Sequence, residues 1–121
     1  MDEEHAQVVD AIRHLIEAND RARVQLDETT ALLRSGIDHL EAGGGIVQAL
    51  HALPIAERRK ATQDAIHDVV QARHQLRLRA ISTCTRHGIA PAQIAEIWGV
   101  SRQRVVQCLA EVRAQDAATS A

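Results

Sequence analysis

Apolar side chains recur every three or four positions over the first 33 residues of this chain, and this spacing constrains its fold more than any other feature. A stripe with that period lies along one face of an α-helix. The sequence of 121 residues also has no Phe, no Tyr and a single Trp, so its core must be built from aliphatic side chains. That composition favours helix packing over a β-sheet. The sequence therefore predicts an all-α protein.

The first helix is predicted to run from His5 through Leu40 and to end at the three glycines of 43–45. Ser35 and Gly36 are candidates for an earlier bend or end. The apolar stripe is wider than one partner helix can cover, so we expect a homodimer. Asn19 takes a core position of the pattern, where a buried asparagine fixes register, or else lies exposed. The predicted dimerisation residues are Val8, Ile12, Leu15, Asn19, Leu26 and Leu33.

A second long helix is predicted from Ile55 to about His87, after a short helical segment at 46–53 and Pro54. Gly88 is placed to stop it. Two long helices joined by a glycine-rich connection are expected to fold back as an antiparallel hairpin. The apolar face of the second helix is predicted to contain Ile66, Val69, Val70, Leu76, Ala80, Ile81 and Cys84.

The stretch from Pro91 to Leu109, PAQIAEIWGVSRQRVVQCL, has the spacing of two short helices joined by a sharp turn. Gly99 suits the turn because glycine adopts a positive φ without strain, and Ser101 is a strong N-cap residue. The predicted core-facing residues are Ile94, Ala95, Trp98, Val100, Val105, Cys108 and Leu109. The residues left outward near the start of the second helix are Arg102, Gln103, Arg104, Val106 and Gln107. Arg and Gln form two-pronged hydrogen bonds to guanine and adenine in the major groove of DNA.

Residues 80–113 resemble the helix-turn-helix DNA-binding family, most closely the three-helix versions in site-specific recombinases and in the promoter-reading region of sigma factors. The matching positions are Ala95, Gly99, Val100 and Val105. Trp98 is bulkier than the usual aliphatic residue, and the few residues after Leu109 leave no room for a winged hairpin. The resemblance implies base contacts from Arg102, Gln103, Val106 and Gln107, and phosphate contacts from Ser101 and Gln93. Helix-turn-helix units also serve as packing or protein-docking modules.

Charge is divided unevenly along the chain, whose formal net charge is −2. Residues 1–53 contain four arginines against ten acids, whereas residues 54–121 contain ten basic residues against six acids. This asymmetry suits a basic DNA-binding head on an acidic body. Arg77 and Arg86 are predicted to contact phosphate. The alternative is that the arginines of this helix, Arg77 among them, form a solvated face.

Seven histidines raise the question of a metal site or an enzyme. Asp64 with His67 has the three-residue spacing of helical-bundle metal sites, but the four carboxylates of a two-metal site are not evident. We therefore expect solvated histidines, and reduced cysteines at Cys84 and Cys108 as packing residues. The sequence contains no glycine-rich phosphate loop, nucleophile elbow or Cys/His pairing. No enzymatic activity, metal or cofactor is predicted.

No apolar run approaches the roughly 18 residues of a membrane span, so no membrane partner is expected. The sequence predicts a cytoplasmic, nucleoid-associated regulator of bacterial type that binds double-stranded DNA as a homodimer. Its predicted domains are a dimerisation hairpin over 1–75, a helix-turn-helix unit over 76–114 and a disordered tail over 115–121. Two alternatives remain open. One is an adaptor that docks on transcription machinery through its acidic N-terminal helices, and the other is a weakly specific architectural DNA binder.

Overall fold

The structure is a computed structural model that describes residues 2–120, apart from the side chain of Ser120. Within that range the chain forms helices and no strand, which confirms the predicted all-α class. No helix among these residues combines the length and apolar character needed to cross a membrane. The five helices are α1 (Glu3–Glu41), α2 (Ile46–Ala52), α3 (Ile55–Arg86), α4 (Pro91–Trp98) and α5 (Arg102–Ser120).

Gly36 lies inside α1, which continues past it without ending. Gly36 is buried, and a Cβ atom at this position would lie 3.2 Å from Cδ1 of Leu53. The glycine therefore serves close packing here and does not break the helix. The break comes at Gly43, whose φ of 89° is readily adopted by glycine.

The chain divides into two compact units, and α1 and α3 each pass through both. The hairpin unit is Ile16–Gln71, and the head unit is the described part of Met1–Leu15 together with Ala72–Ala121. The sequence places its domain boundary after residue 75, whereas the structure groups the start of α1 with the C-terminal helices. These N-terminal residues belong to the head unit because they contact the end of α3, as the Glu4 to Arg86 pair shows.

Within the hairpin unit, α1 and α3 run antiparallel, as predicted. The hydroxyl oxygens of Thr29 and Thr62 lie 3.3 Å apart, and Gly36 lies beside Leu53, so later residues of α1 meet earlier residues of the returning chain. Nη1 of Arg58 adds a hydrogen bond of 2.7 Å to Oε2 of Glu28.

The packed face of α1 in the hairpin unit shares Ala22 and Thr29 with the predicted stripe, which steps through residues 19, 22, 26, 29 and 33, and otherwise lies one residue before it. The structure exposes Asn19, Leu26 and Leu33. Their predicted place in the core is therefore wrong for the hairpin that the single chain forms. Small side chains on the packed face let two helix backbones approach closely, whereas larger aliphatic side chains would hold them apart. The buried and half-buried positions are Ala18, Ala22, Gln25, Thr29, Leu32 and Gly36.

The head unit has an aliphatic core shared by α3, α4 and α5. Most of the predicted core positions are confirmed, including Ile81, Ile94 and Val105, each fully buried. On α3 the structure buries Leu78, whereas the predicted Leu76 is half-buried. The buried core residues are Leu78, Ile81, Ile94, Ala95, Val105, Cys108 and Val112, with Cys84, Ile89, Trp98, Val100 and Leu109 partly buried against them.

The predicted disordered tail from residue 115 is helical through Ser120. Alanines and a local hydrogen bond favour the helix: the Thr119 hydroxyl donates to the Gln115 carbonyl at 2.9 Å. Asp116 ties the helix to α3, because its Oδ1 lies 3.6 Å from Nη1 of Arg79. Ala121 lies outside the described residues.

Candidate functional site

The turn between α4 and α5 has the geometry that its sequence requires. Gly99 has a φ of 64°, in the left-handed region, and Val100 donates its backbone N–H to the Ala95 carbonyl at 3.0 Å. Ser101 then caps α5, because its Oγ accepts the backbone N–H of Arg104 at 3.0 Å. The glycine reverses the chain and the serine satisfies a free amide of the new helix. The start of α5 is therefore fixed by local hydrogen bonds.

One face of α5 is committed to the core and the other to solvent. Val105, Cys108 and Val112 are buried, at spacings of three and four residues. The opposite face is polar apart from Ala110 and Val106, of which Val106 is 54% exposed. Its exposed residues in the first half of the helix are Arg102, Gln103, Val106, Gln107 and Ala110. The structure thus brings four of the five predicted outward residues to an open surface.

Arg104 differs from that set because it is half-buried at the flank of the exposed face. Its Nη1 lies 3.5 Å from Oε1 of Gln107, at the limit of hydrogen-bond distance. This contact orients the amide of Gln107. Gln93, near the start of α4, is exposed, as is Ser101, whose hydroxyl already accepts the Arg104 amide.

The exposed face is supported from behind by polar contacts between α3 and α5. Nε2 of His74 lies 2.5 Å from Oε2 of Glu111, and Arg79 pairs with Asp116 further along the helix. Both contacts lie C-terminal to the polar face, so they hold the far half of α5 while leaving its first two turns open. Rigid support of this kind keeps a recognition surface in one geometry.

Two arginines of α3 predicted to contact phosphate are paired or partly buried within the chain. Nη1 of Arg86 lies 2.5 Å from Oε1 of Glu4, and this hydrogen bond is the main reason why the pKa of Arg86 is raised. Arg77 is half-buried, and its Nε atom is buried with no hydrogen-bond partner among the described residues. Neither of the two arginines predicted to contact phosphate is therefore a fully solvated cation.

Two features of the site are missed by sequence reasoning. Ile97 of α4 is 63% exposed, although its neighbours Ile94 and Trp98 pack inward as predicted. The helical spacing gives only a weak signal of this exposure, because Ile97 lies about 100° from Trp98 but about 60° from Ile94 around the helix. The pairing of Glu4 with Arg86 has no local signal, since 82 residues separate them.

The exposed face of α5 can form both hydrogen bonds and apolar contacts with a ligand. Arg102 offers a planar fork of donors, Gln103 and Gln107 each offer an NH2 donor group and a carbonyl acceptor, and Val106 offers methyl groups. No group of nucleophile, base and orienting partner occurs among these exposed residues.

Searches with protein-family models, of curated proteins and of solved structures each find no match to this chain.

Proposed function

We propose that this protein binds double-stranded DNA sequence-specifically, as a homodimeric regulator of the helix-turn-helix type, with the first turns of α5 in the major groove. The single observation that carries the proposal is the exposed face of α5. It combines Arg102, Gln103 and Gln107 with an apolar Val106, on a helix whose other face is buried. A helix used only for packing has no need of that combination.

The chemistry of each side chain suits a base edge. Arginine binds the O6 and N7 atoms of guanine with two hydrogen bonds, and glutamine binds N6 and N7 of adenine in the same way. Val106 can contact the methyl group of thymine. Gln103, Val106 and Gln107 are three and four residues apart, so they enter one groove together.

Phosphate contacts would flank the base contacts. Exposed Gln93 at the start of α4 and Ser101 before α5 are suited to that role, since helix N-termini present free amides to anions. Arg104 and Arg77 lie at less exposed positions, and Arg86 would have to exchange Glu4 for a phosphate. Phosphate binding by Arg86 would therefore compete with the ion pair between Arg86 and Glu4.

The proposed dimer rests on a second heptad series of α1 that the hairpin leaves exposed. It alternates steps of three and four, and six of its nine members are large aliphatic side chains that are each at least 42% exposed. Such a series is a coiled-coil seam when another helix covers it. Its members are Ile12, Ile16, Asn19, Arg23, Leu26, Thr30, Leu33, Ile37 and Leu40. We name it the exposed α1 series.

The exposed α1 series contains four of the six predicted dimerisation residues, namely Ile12, Asn19, Leu26 and Leu33. The other two, Val8 and Leu15, are half-buried within the chain itself. Beside Leu33 lies an apolar cleft of about 330 Å³, lined also by residues 53–55. A second copy of the chain would cover both the series and the cleft. A two-fold dimer would present two copies of α5 and so favour a repeated or palindromic DNA site.

The proposal is tested by selecting bound duplexes from a random pool with the full chain. A recurring sequence whose binding resists competition by unrelated DNA is the expected result. Binding that unrelated DNA removes with equal ease would instead indicate an architectural binder. Absence of binding to any duplex, even at low salt, would contradict a DNA function.

A second candidate function is protein docking through the acidic helices. The observation in its favour is the amount of aliphatic surface that the hairpin unit exposes, including Ile46, Val47 and Leu50 of α2 at 48–63%. Exposed apolar patches of this kind mark protein interaction sites. An adaptor would use this surface for a different protein, and a monomeric chain in solution would favour it over the homodimer.

A further inference from the structure

Two histidines and an aspartate meet at the start of α1, although His87 is 82 residues from His5 in the sequence. Each residue offers a nitrogen or carboxylate oxygen, and the three atoms lie within 4.8 Å of one another. Nδ1 of His5 lies 2.9 Å from Oδ2 of Asp2, and the centroids of the two imidazole rings are 5.5 Å apart. We name these three residues the Asp-His-His cluster.

The two oxygen atoms of the Asp2 carboxylate make different contacts. Its Oδ1 accepts the backbone N–H of His5 at 2.8 Å and so caps α1. Oδ2 is left facing the imidazoles. The cluster therefore offers one carboxylate oxygen and two imidazole nitrogens as ligand atoms.

Charges around the cluster also favour a cation. A cleft of about 520 Å³ next to it is lined by four carboxylates, those of Asp2, Glu3, Glu4 and Asp116, against the guanidinium groups of Arg79 and Arg86. Arg86 is neutralised by Glu4, and Oε2 of Glu4 lies 3.9 Å from Nε2 of His87. Glu4 thus offsets the positive charge of Arg86 beside the cluster.

We propose that Asp2, His5 and His87 form a binding site for a zinc ion, which would fasten the start of α1 to the end of α3. Two imidazoles and a carboxylate, with water in the fourth position, are a common tetrahedral ligand set for Zn²⁺. Bonds of about 2.0–2.2 Å to the ion would bring the ligand atoms to about 3.4 Å from one another. The three side chains are each about half exposed, so rotation about their side-chain bonds can close the remaining gap.

The site is tested by titrating the metal-free full chain with zinc chloride at pH 7 in a calorimeter. One zinc ion per chain is expected. Replacing a ligand should weaken zinc binding by at least about tenfold, since even partners one step removed from a metal contribute that much. His5→Ala and His87→Ala are the test variants. The matched control is His14→Ala, an exposed histidine of the same helix outside the cluster, which should bind zinc as the unaltered chain does.

Thermal unfolding with and without zinc gives a second measurement. Zinc should raise the midpoint of the unaltered chain and of His14→Ala, but not that of His87→Ala, because only binding to the folded state stabilises it. Cys84→Ser should retain the effect, which excludes the half-buried thiol as a ligand. Equal zinc binding by all three histidine variants, or no saturable binding by the unaltered chain, would overturn the proposal.

Discussion

The carboxylate of Glu4, in the first turn of α1, lies 2.5 Å from the guanidinium of Arg86, in the last turn of α3. The pair closes the head unit at the ends of two helices that are far apart in sequence. It also occupies one of the arginines whose predicted partner is a DNA phosphate. Under the proposed function, Glu4 therefore competes with DNA for Arg86.

The first prediction is that Glu4→Gln strengthens binding to all duplexes, whatever their sequence. Removing the carboxylate frees the Arg86 cation, and each added phosphate contact steepens the dependence of log K on log salt by about 0.9. Fluorescence anisotropy over a range of salt concentrations measures the slope. The matched control is Glu3→Gln, which removes the same charge from an exposed neighbour without freeing Arg86. Equal slopes for the two variants would contradict this competition.

Gly99→Ala should destabilise the protein by about 1 to 2 kcal/mol, because an L side chain is strained at a φ of 64°. A Cβ atom at this position would meet nothing within 4 Å, so the cost comes from the backbone alone. The matched control is Gly45→Ala, at a φ of −75°, which should stay within about 0.5 kcal/mol of the unaltered protein. Chemical denaturation measures both. Similar losses at the two positions would rule out backbone strain as the cause.

Trp98 packs at the edge of the head-unit core, half-buried against it. Its fluorescence should be blue-shifted relative to the unfolded chain. Trp98→Ala should cost less than the roughly 3 to 5 kcal/mol of a fully buried tryptophan, yet clearly more than Ile97→Ala. Ile97 is 63% exposed, so its truncation should stay within about 0.5 kcal/mol of the unaltered protein. A water-like native emission, or equal costs for the two variants, would mean that the core is assigned wrongly.

Leu26→Glu should dissociate the proposed homodimer, because it places a charge in the exposed α1 series. Light scattering at micromolar concentration measures the mass. The matched control is Val24→Glu, whose side chain is 54% exposed against 47% for Leu26 but points away from the series. The control should remain dimeric. A monomeric unaltered chain, or two variants of equal mass, would contradict this interface.

The local parts of this fold could be predicted from the sequence. The turn at Gly99, the cap at Ser101 and the buried face of α5 depend on residues within four positions of one another, and short-range spacing determines each of them. The helix ends at Gly43 and Gly88 follow from the same rule, since both glycines have positive φ.

The register of α1 could not be predicted with the same success. The observed series through Ala18, Ala22 and Gln25 and the predicted one through Asn19, Ala22 and Leu26 have the same period, so hydrophobicity alone favours the series that contains Leu26. Close approach of two helices instead selects the smaller side chains. Contacts across the sequence, such as those of Arg86 with Glu4 and of His87 with His5, leave no periodic signal at all.

The most direct test of DNA recognition by α5 is the affinity of Arg102→Ala and Gln103→Ala for the selected duplex and for single-base variants of it. Each substitution should cost about 1 to 3 kcal/mol on the preferred site and relax the preference at one base pair. Arg113→Ala is the matched control, an exposed arginine further along the same helix, and it should leave the base preference intact. Unchanged affinity and unchanged base preference in both Arg102→Ala and Gln103→Ala, with binding to DNA retained, would contradict recognition by this face.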